Sequence, residues 1–203
     1  MVKWNKLLLS SFLVFFLMFS TSLSANAEFK PMAELPVYYP GSNVSMQTGD
    51  ILYSSKSLAA STLIVGHVGI VGSDLNVYHV NPVDGNAGKS DGIYTYSGRH
   101  DPGETIRIYR PIHNYGVKAA EWAKNNYASI STYYIPWKSW DNFKLGSLDP
   151  NYCSKFIWQA FYFGNNKTDH IIGYYNENKE AYVTPIQIIN SSELTYAGSF
   201  ITP

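Results

Sequence analysis

The chain carries one cysteine, Cys153, and five histidines. His67, His79 and Cys153 have the types needed for a nucleophile, its base and an orienting group. A thiol attacks as its thiolate, so it needs an imidazole to take the proton and a third group to hold that imidazole. Cys153 stands in Asp149-Pro150-Asn151-Tyr152-Cys153-Ser154-Lys155-Phe156-Ile157-Trp158, at the expected start of a helix. Asn151 or Asp149 is placed to cap that helix. The free backbone N–H groups of its first turn favour an anion, which is expected to lower the thiol pKa and to serve an oxyanion. His67 interrupts an apolar run, Leu63 to Val71, and His79 follows among Val77, Tyr78 and Val80. The two share a parity within the arms of a hairpin. Their rings are therefore expected on one face, where His79 fixes the tautomer of His67.

The same residues admit plainer readings. Free cysteine is among the most buried residue types, so Cys153 also reads as an inert core thiol. One cysteine with two histidines makes up a three-ligand zinc set, but no Cys-x-x-Cys or His-Glu-x-x-His spacing accompanies them. No metal and no other cofactor is expected. His100, His113 and His170 stand in polar stretches and read as solvated. Trp137, Trp140 and Trp158 read as packing, and Ser154 as a helix-start residue.

The elements that must position these residues follow from pattern and punctuation. Pro31, Pro36 and Pro40 make 28–48 an irregular leader. Strands are expected at 51–53, 63–71 and 76–80, the last two joined by Gly72-Ser73-Asp74. Residues 54–61 and 81–104 read as mostly loop, with a short strand at Ile93-Tyr94-Thr95-Tyr96. A strand at 105–109 precedes a helix over 115–127, with Val117, Ala120, Trp122 and Ala123 for its buried face. A polar, aromatic loop runs to Pro150. In the Cys153 helix Phe156, Ile157, Ala160 and Phe161 fall at helical spacing. Thr184-Pro185 opens a short helix ending near Asn190, and 194–197 reads as a closing strand. A strand meander with segregated helices is an α+β domain.

Gly66-His67-Val68-Gly69-Ile70-Val71-Gly72 with Val77-Tyr78-His79 resembles the histidine strand and third-residue strand of NlpC-like papain-fold hydrolases. Gly49-Asp50-Ile51-Leu52 resembles the strand that precedes them. Here the cysteine follows the histidines, and Tyr152-Cys153-Ser154-Lys155-Phe156-Ile157-Trp158 resembles the circularly permuted, YiiX/YycO-like branch. The resemblance covers roughly residues 46–200. It implies a permuted papain-like α+β fold, an antiparallel sheet with the cysteine helix packed against it, over 49–203. It also implies Cys153 as nucleophile, His67 as base and then acid, and His79 as orienter. A tyrosine ahead of the helix is implied at the site, Tyr133 or the competing Tyr134, and Tyr152 is a candidate substrate contact. Lys155 stands where relatives carry an acid.

Residues 1–27 read as an export signal, with Lys3 and Lys6, an apolar run over 7–23, and Ala25-Asn26-Ala27 as the cleavage site. An uncleaved anchor is the alternative. Without Lys3 and Lys6 the basic count falls from 15 to 13 against 15 acids, a net charge of −2. That excludes a strong pull toward nucleic acid or anionic lipid. The expectation is a secreted or envelope-associated cysteine hydrolase acting on an amide, in a cell-wall-derived peptide. The permuted order is shared with lecithin–retinol-acyltransferase-like enzymes, so acyl transfer and thioester or lipid-amide cleavage stand as alternatives, beside a non-catalytic envelope-binding module. After signal cleavage no stable membrane insertion is expected, and the partner is a peptide or acyl-amide substrate.

Overall fold

The computed structural model describes residues 35–56, 66–82, 85–136 and 143–203. The expected export segment and its cleavage site, Leu63 to Val65, Trp137 and Trp140 lie outside the described residues. Among the described residues, no helix is long and apolar enough to cross a membrane.

Six strands form one antiparallel sheet: β1 (Ile51–Ser54), β2 (His67–Val71), β3 (Val77–Val80), β4 (Gly88–Asp91), β5 (Thr105–Pro111) and β6 (Leu194–Ile201), in the spatial order β4-β3-β2-β1-β5-β6. Helix α1 (Ile93–Ser97) lies between β4 and β5; α2 (Tyr115–Asn126), α3 (Cys153–Gly164) and α4 (Pro185–Ile189) lie between β5 and β6. This is the expected α+β class, with the cysteine helix packed on an antiparallel sheet and placed after the histidine strand.

Alternation along the strands divides the core in two. Ile51, Tyr53, Val68, Ile70, Tyr78 and Val80 pack with Ala119, Ala120 and Ala123 of α2 and with Phe156, Ile157, Ala160 and Phe161 of α3. Leu52, Val71, Val77, Ile106 and Ile108 pack on the other side with Tyr39, Met46, Tyr96 and Phe200. Helix α3 is apolar nearly all round and is buried from Cys153 through Tyr162, as such a helix must be. Helix α4 starts as expected, with Pro185 at its first turn and a reciprocal capping box between Thr184 and Gln187.

Several expectations are corrected. Ile93 to Tyr96 is the helix α1, not a strand, and it ends at Gly98. The expected loop 81–104 contains β4, which the sequence Gly88-Lys89-Ser90-Asp91 did not announce. Val117 is exposed, and Gly116 and Ala119 take the buried face instead. The closing strand extends to Ile201, and a β-bulge at Ile108/Tyr109 shifts its pairing with β5.

The described part of the leader has no regular helix, yet it belongs to the compact unit that runs from Pro36 to Pro203. Tyr39 is buried and its hydroxyl donates to Asp50 at 2.8 Å. Arg110 of β5 grips the same fully buried carboxylate through Nε at 2.7 Å and Nη2 at 2.9 Å. A buried carboxylate is tolerated only when so paired. The leader is therefore pinned to the sheet by an ion pair.

Gly66 sets the entry into β2. Its φ is +88°, and a Cβ there would lie 2.0 Å from the Ser54 carbonyl oxygen. Gly66→Ala must strain the backbone and push β2 from β1 at the residue before His67. We expect a loss of about 2–4 kcal/mol in denaturant unfolding; a loss below about 1 kcal/mol would contradict this account of the strand entry.

Candidate active site

The ladder between β2 and β3 pairs Gly69 with His79. His67 is two residues from Gly69, so the two imidazoles are diagonal neighbours on one face of the sheet. Gly69 itself must be bare, because a Cβ there would lie 2.7 Å from Val77 Cγ1 and 3.3 Å from His79 Cβ. His67 Nε2 lies 3.0 Å from His79 Nδ1, and the rings meet edge to face. Both side chains are buried.

The arrangement does not end at His79. Its Nε2 lies 2.8 Å from Asp91 Oδ2, and Arg99 grips the same carboxylate through Nε and Nη2. Asp91 and Arg99 were missed in the sequence. Asp91 is paired at the end of β4 opposite Val77, and Arg99 follows the Gly98 that ends α1.

This chain fixes the protons. The Arg99 contact and the imidazole hydrogen bond hold the Asp91 carboxyl far below its ordinary pKa, against burial that would raise it. An ionised carboxylate only accepts, so His79 Nε2 carries the hydrogen and His79 Nδ1 is the acceptor. His67 Nε2 then donates to His79, and His67 Nδ1 is left with its lone pair. Burial is the leading cause that holds both imidazoles below their usual pKa, with the Asp91 contact opposing it at His79. His67 is thus a neutral base of defined tautomer.

Cys153 starts α3 at the sheet end where this base lies. The β2–β3 pairing stops at Gly69, and the backbone N–H of Val68, the residue beside His67, is directed at the Cys153 sulfur. The backbone N–H groups of Cys153 and Ser154 reach the sulfur as well. The expected caps are not used. Tyr152 occupies the N-cap position without a side-chain cap. Asn151 instead donates to Gln159 Oε1 at 2.7 Å and accepts from the Tyr152 N–H at 2.9 Å. Asp149 binds Ser131 and the Thr132 N–H.

The lowered thiol pKa is corrected too. Burial raises the Cys153 pKa, outweighing the three N–H groups and the Ser154 side chain that favour the anion. Among the described residues no hydrogen bond joins the sulfur to His67. The resting site is a neutral thiol beside a neutral imidazole, which suits general-base attack more than a preformed ion pair.

Tyrosines gather beside Cys153. Tyr152 precedes it in the chain, and Tyr133 and Tyr182 pack with Tyr152. Tyr133 is half-buried with its hydroxyl inside and without a partner among the described residues, whereas Tyr134 is exposed. Of the two, Tyr133 is the one that turns its hydroxyl inward. Tyr152 is fully buried and its hydroxyl accepts the Val183 N–H at 2.9 Å, while Ser154 Oγ donates to the Val183 carbonyl at 2.7 Å. Both clip the 183 segment beside the cysteine, so Tyr152 is a support and offers no open face to a substrate. Lys155 is buried, its ammonium 3.1 Å from the Pro150 carbonyl and 3.9 Å from the Phe143 ring centroid, and desolvation lowers its pKa to about 7.

His100 was expected in solvent and is instead buried, with its ring 5.8 Å from that of His67. Burial lowers its pKa to about 4. His113 is exposed, and His170 stacks on Tyr115 at 3.8 Å. Among the described residues no group of three or more His, Cys, Asp and Glu side chains is placed to hold a metal ion.

Two consequences are measurable. Because Cys153 rests as a buried thiol, its alkylation rate should climb with pH through and beyond the ordinary thiol value of about 8.5. A plateau already reached near pH 5 would instead reveal a thiolate–imidazolium pair. For stability, His67, His79 and His100 stay neutral in the fold at pH values where the unfolded chain protonates them. Stability is therefore complete above about pH 6.5 and is lost as pH falls through that value. At pH 5 the unfavourable His100 titration alone amounts to about 2 kcal/mol, and His100→Leu should flatten the unfolding-versus-pH curve by that amount. An unchanged slope would refute the buried neutral state of His100.

Comparison with known proteins adds to this picture. A family model described as "Lipoprotein N-acylation protein LnsA-like" matches residues 6–176, a span that contains His67, His79, Asp91 and Cys153. No curated protein matches the sequence. Among solved structures, one described as metalloprotein yiiX from Escherichia coli O157:H7 aligns with 76% of this chain and 98% of its own, at 17% identity and a TM-score of 0.49.

Proposed function

Since the chain belongs to the LnsA-like lipoprotein N-acylation protein family, we propose that Cys153 accepts an acyl group as a thioester and passes it to an amine. The observation that carries the reading is the run His67–His79–Asp91–Arg99, which leaves His67 Nδ1 as a base at the end of the sheet where the sulfur sits.

In the first half-reaction, His67 Nδ1 takes the thiol proton as sulfur attacks the acyl carbonyl of a lipid ester. A C–S bond forms, the C–O bond to the leaving alcohol breaks, and the His67 proton goes to that alcohol. His79 and Asp91 stabilise the transient imidazolium through the relay without themselves changing charge. The negative charge that develops on the carbonyl oxygen is met by the first-turn N–H of α3 and by the unpartnered Tyr133 hydroxyl. In the second half-reaction an amine attacks the thioester, His67 takes its proton and returns it to sulfur, and an amide leaves. The acceptor follows from the family description, a lipoprotein amine. The apolar N-terminal segment and its expected cleavage after Ala27 support a secreted or envelope-associated activity.

Amide cleavage in a wall peptide would use the same residues, and the products decide between the two. Purified protein incubated with phospholipid vesicles should gain one acyl mass that hydroxylamine removes. Cys153→Ala should gain none. Asp91→Asn presents an amide N–H to His79 Nε2, which reverses both tautomers and puts a hydrogen on His67 Nδ1, so its acylation rate should fall about 10³–10⁴-fold with the fold intact. Release of amines from wall peptides by wild type, with no acyl mass ever detected, would overturn the acyl-transfer reading.

A further inference from the structure

Beyond the relay, a second set of buried polar groups adjoins His67 and has no role in the chemistry above. Tyr96 is fully buried on α1. Its ring lies 6.0 Å from that of His67, 5.1 Å from His79 and 5.0 Å from His100. The His100 and Glu104 side chains are 0% and 4% exposed, with His100 Nδ1 and Glu104 Oε1 3.4 Å apart, too far for a good hydrogen bond. The Tyr96 hydroxyl, both ring nitrogens of His100 and Glu104 Oε1 have no hydrogen-bond partner among the described residues.

Four such atoms in one place are not accidental clutter. Buried polar atoms in folded proteins are nearly always paired, and a buried water typically makes about three hydrogen bonds to groups the protein leaves unsatisfied. Their chemistry is complementary to water. Tyr96 can donate or accept, a neutral imidazole offers one donor and one acceptor, and a carboxyl oxygen accepts. The cluster also adjoins the candidate base, since the Tyr96 and His100 rings lie 6.0 and 5.8 Å from that of His67.

We propose that Tyr96, His100 and Glu104 form an internal water site that supplies the nucleophile for hydrolysis of the Cys153 acyl-thioester. This role rests on the thioester reading. The step balances without a further reactant. The water oxygen bonds to the acyl carbon, the C–S bond breaks, and His67 takes a proton from water and returns it to sulfur. The products are a carboxylic acid and the free thiol. The three residues position water and do not exchange protons with the substrate. They set how much acyl-enzyme is lost to hydrolysis before an amine arrives.

The test acylates the mature protein with 4-nitrophenyl decanoate and follows the acyl mass over time, with and without a peptide bearing a free N-terminal amine. Tyr96→Phe and Glu104→Gln should each lengthen the lifetime without amine about tenfold, while the amine-dependent decay changes by less than about threefold. Equal change in both decays marks a merely structural effect and overturns the proposal, as does no change in either. A crystal structure supplies a readout independent of acylation. Ordered water within hydrogen-bond distance of Tyr96 Oη and Glu104 Oε1 supports the site, and a dry chamber refutes it. If the wild type never gains an acyl mass, the acyl-transfer reading fails, and the water density still decides whether the site exists.

Discussion

The carboxylate of Asp91 governs a proton two rings away. Because it is ionised and bridged to Arg99, it can only accept from His79 Nε2, and that single constraint fixes which nitrogen of His67 is basic. Much of the sheet can be read from this requirement. β4 exists as an edge strand that carries Asp91 to the face where His79 points. α1 and Gly98 bring Arg99 back over that edge. Gly69 keeps the space between the strands clear for the His79 side chain.

Burial shapes the resting state as strongly as the hydrogen bonds do. Taking Cys153 and His67 out of water disfavours the thiolate and the imidazolium together. A helix N-terminus alone would pull the other way, and here it loses to desolvation. The thiol and the imidazole of His67 therefore rest uncharged, and the fixed charge lies behind them in the Asp91–Arg99 pair. On the acyl-transfer reading proposed above, ionisation is deferred to the moment of attack, when the developing oxyanion and the imidazolium compensate each other inside a low-dielectric space.

What the sequence disclosed, and what it hid, follows from the range of the forces involved. The pairing of His67 with His79 was legible because parity within a hairpin is local, and the Cys153 helix was legible from its apolar spacing. Asp91 was not. Gly88-Lys89-Ser90-Asp91 has neither alternation nor β-branched residues, and it is a strand only because β3 offers it a ladder. Ile93-Tyr94-Thr95-Tyr96 has strand-forming residues but adopts a helical turn. There Ser97 Oγ bonds the Ile93 carbonyl at 2.8 Å and Tyr96 is drawn beneath the histidines, so tertiary packing overrides local preference. His100 sits between Arg99 and Asp101 and looked solvated, yet a turn folds it inward. The direction of the Cys153 pKa shift was hidden for a related reason, since a helix start is visible in sequence and the surrounding burial is not.

A lone thiol that serves as a nucleophile has to resist oxidation and still react. Reactivity toward oxidants follows thiolate character and exposure, and Cys153 is low in both at rest. Access must then be given selectively. Tyr133 and Tyr182 are the half-buried tyrosines beside Cys153, whereas Tyr152 is locked inside. Tyr133 brings a hydroxyl unpartnered among the described residues to that less enclosed side. Bulk water kept from the sulfur strengthens every dipole aimed at it. Protection and activation thus depend on one feature, the exclusion of bulk water from the space around the sulfur.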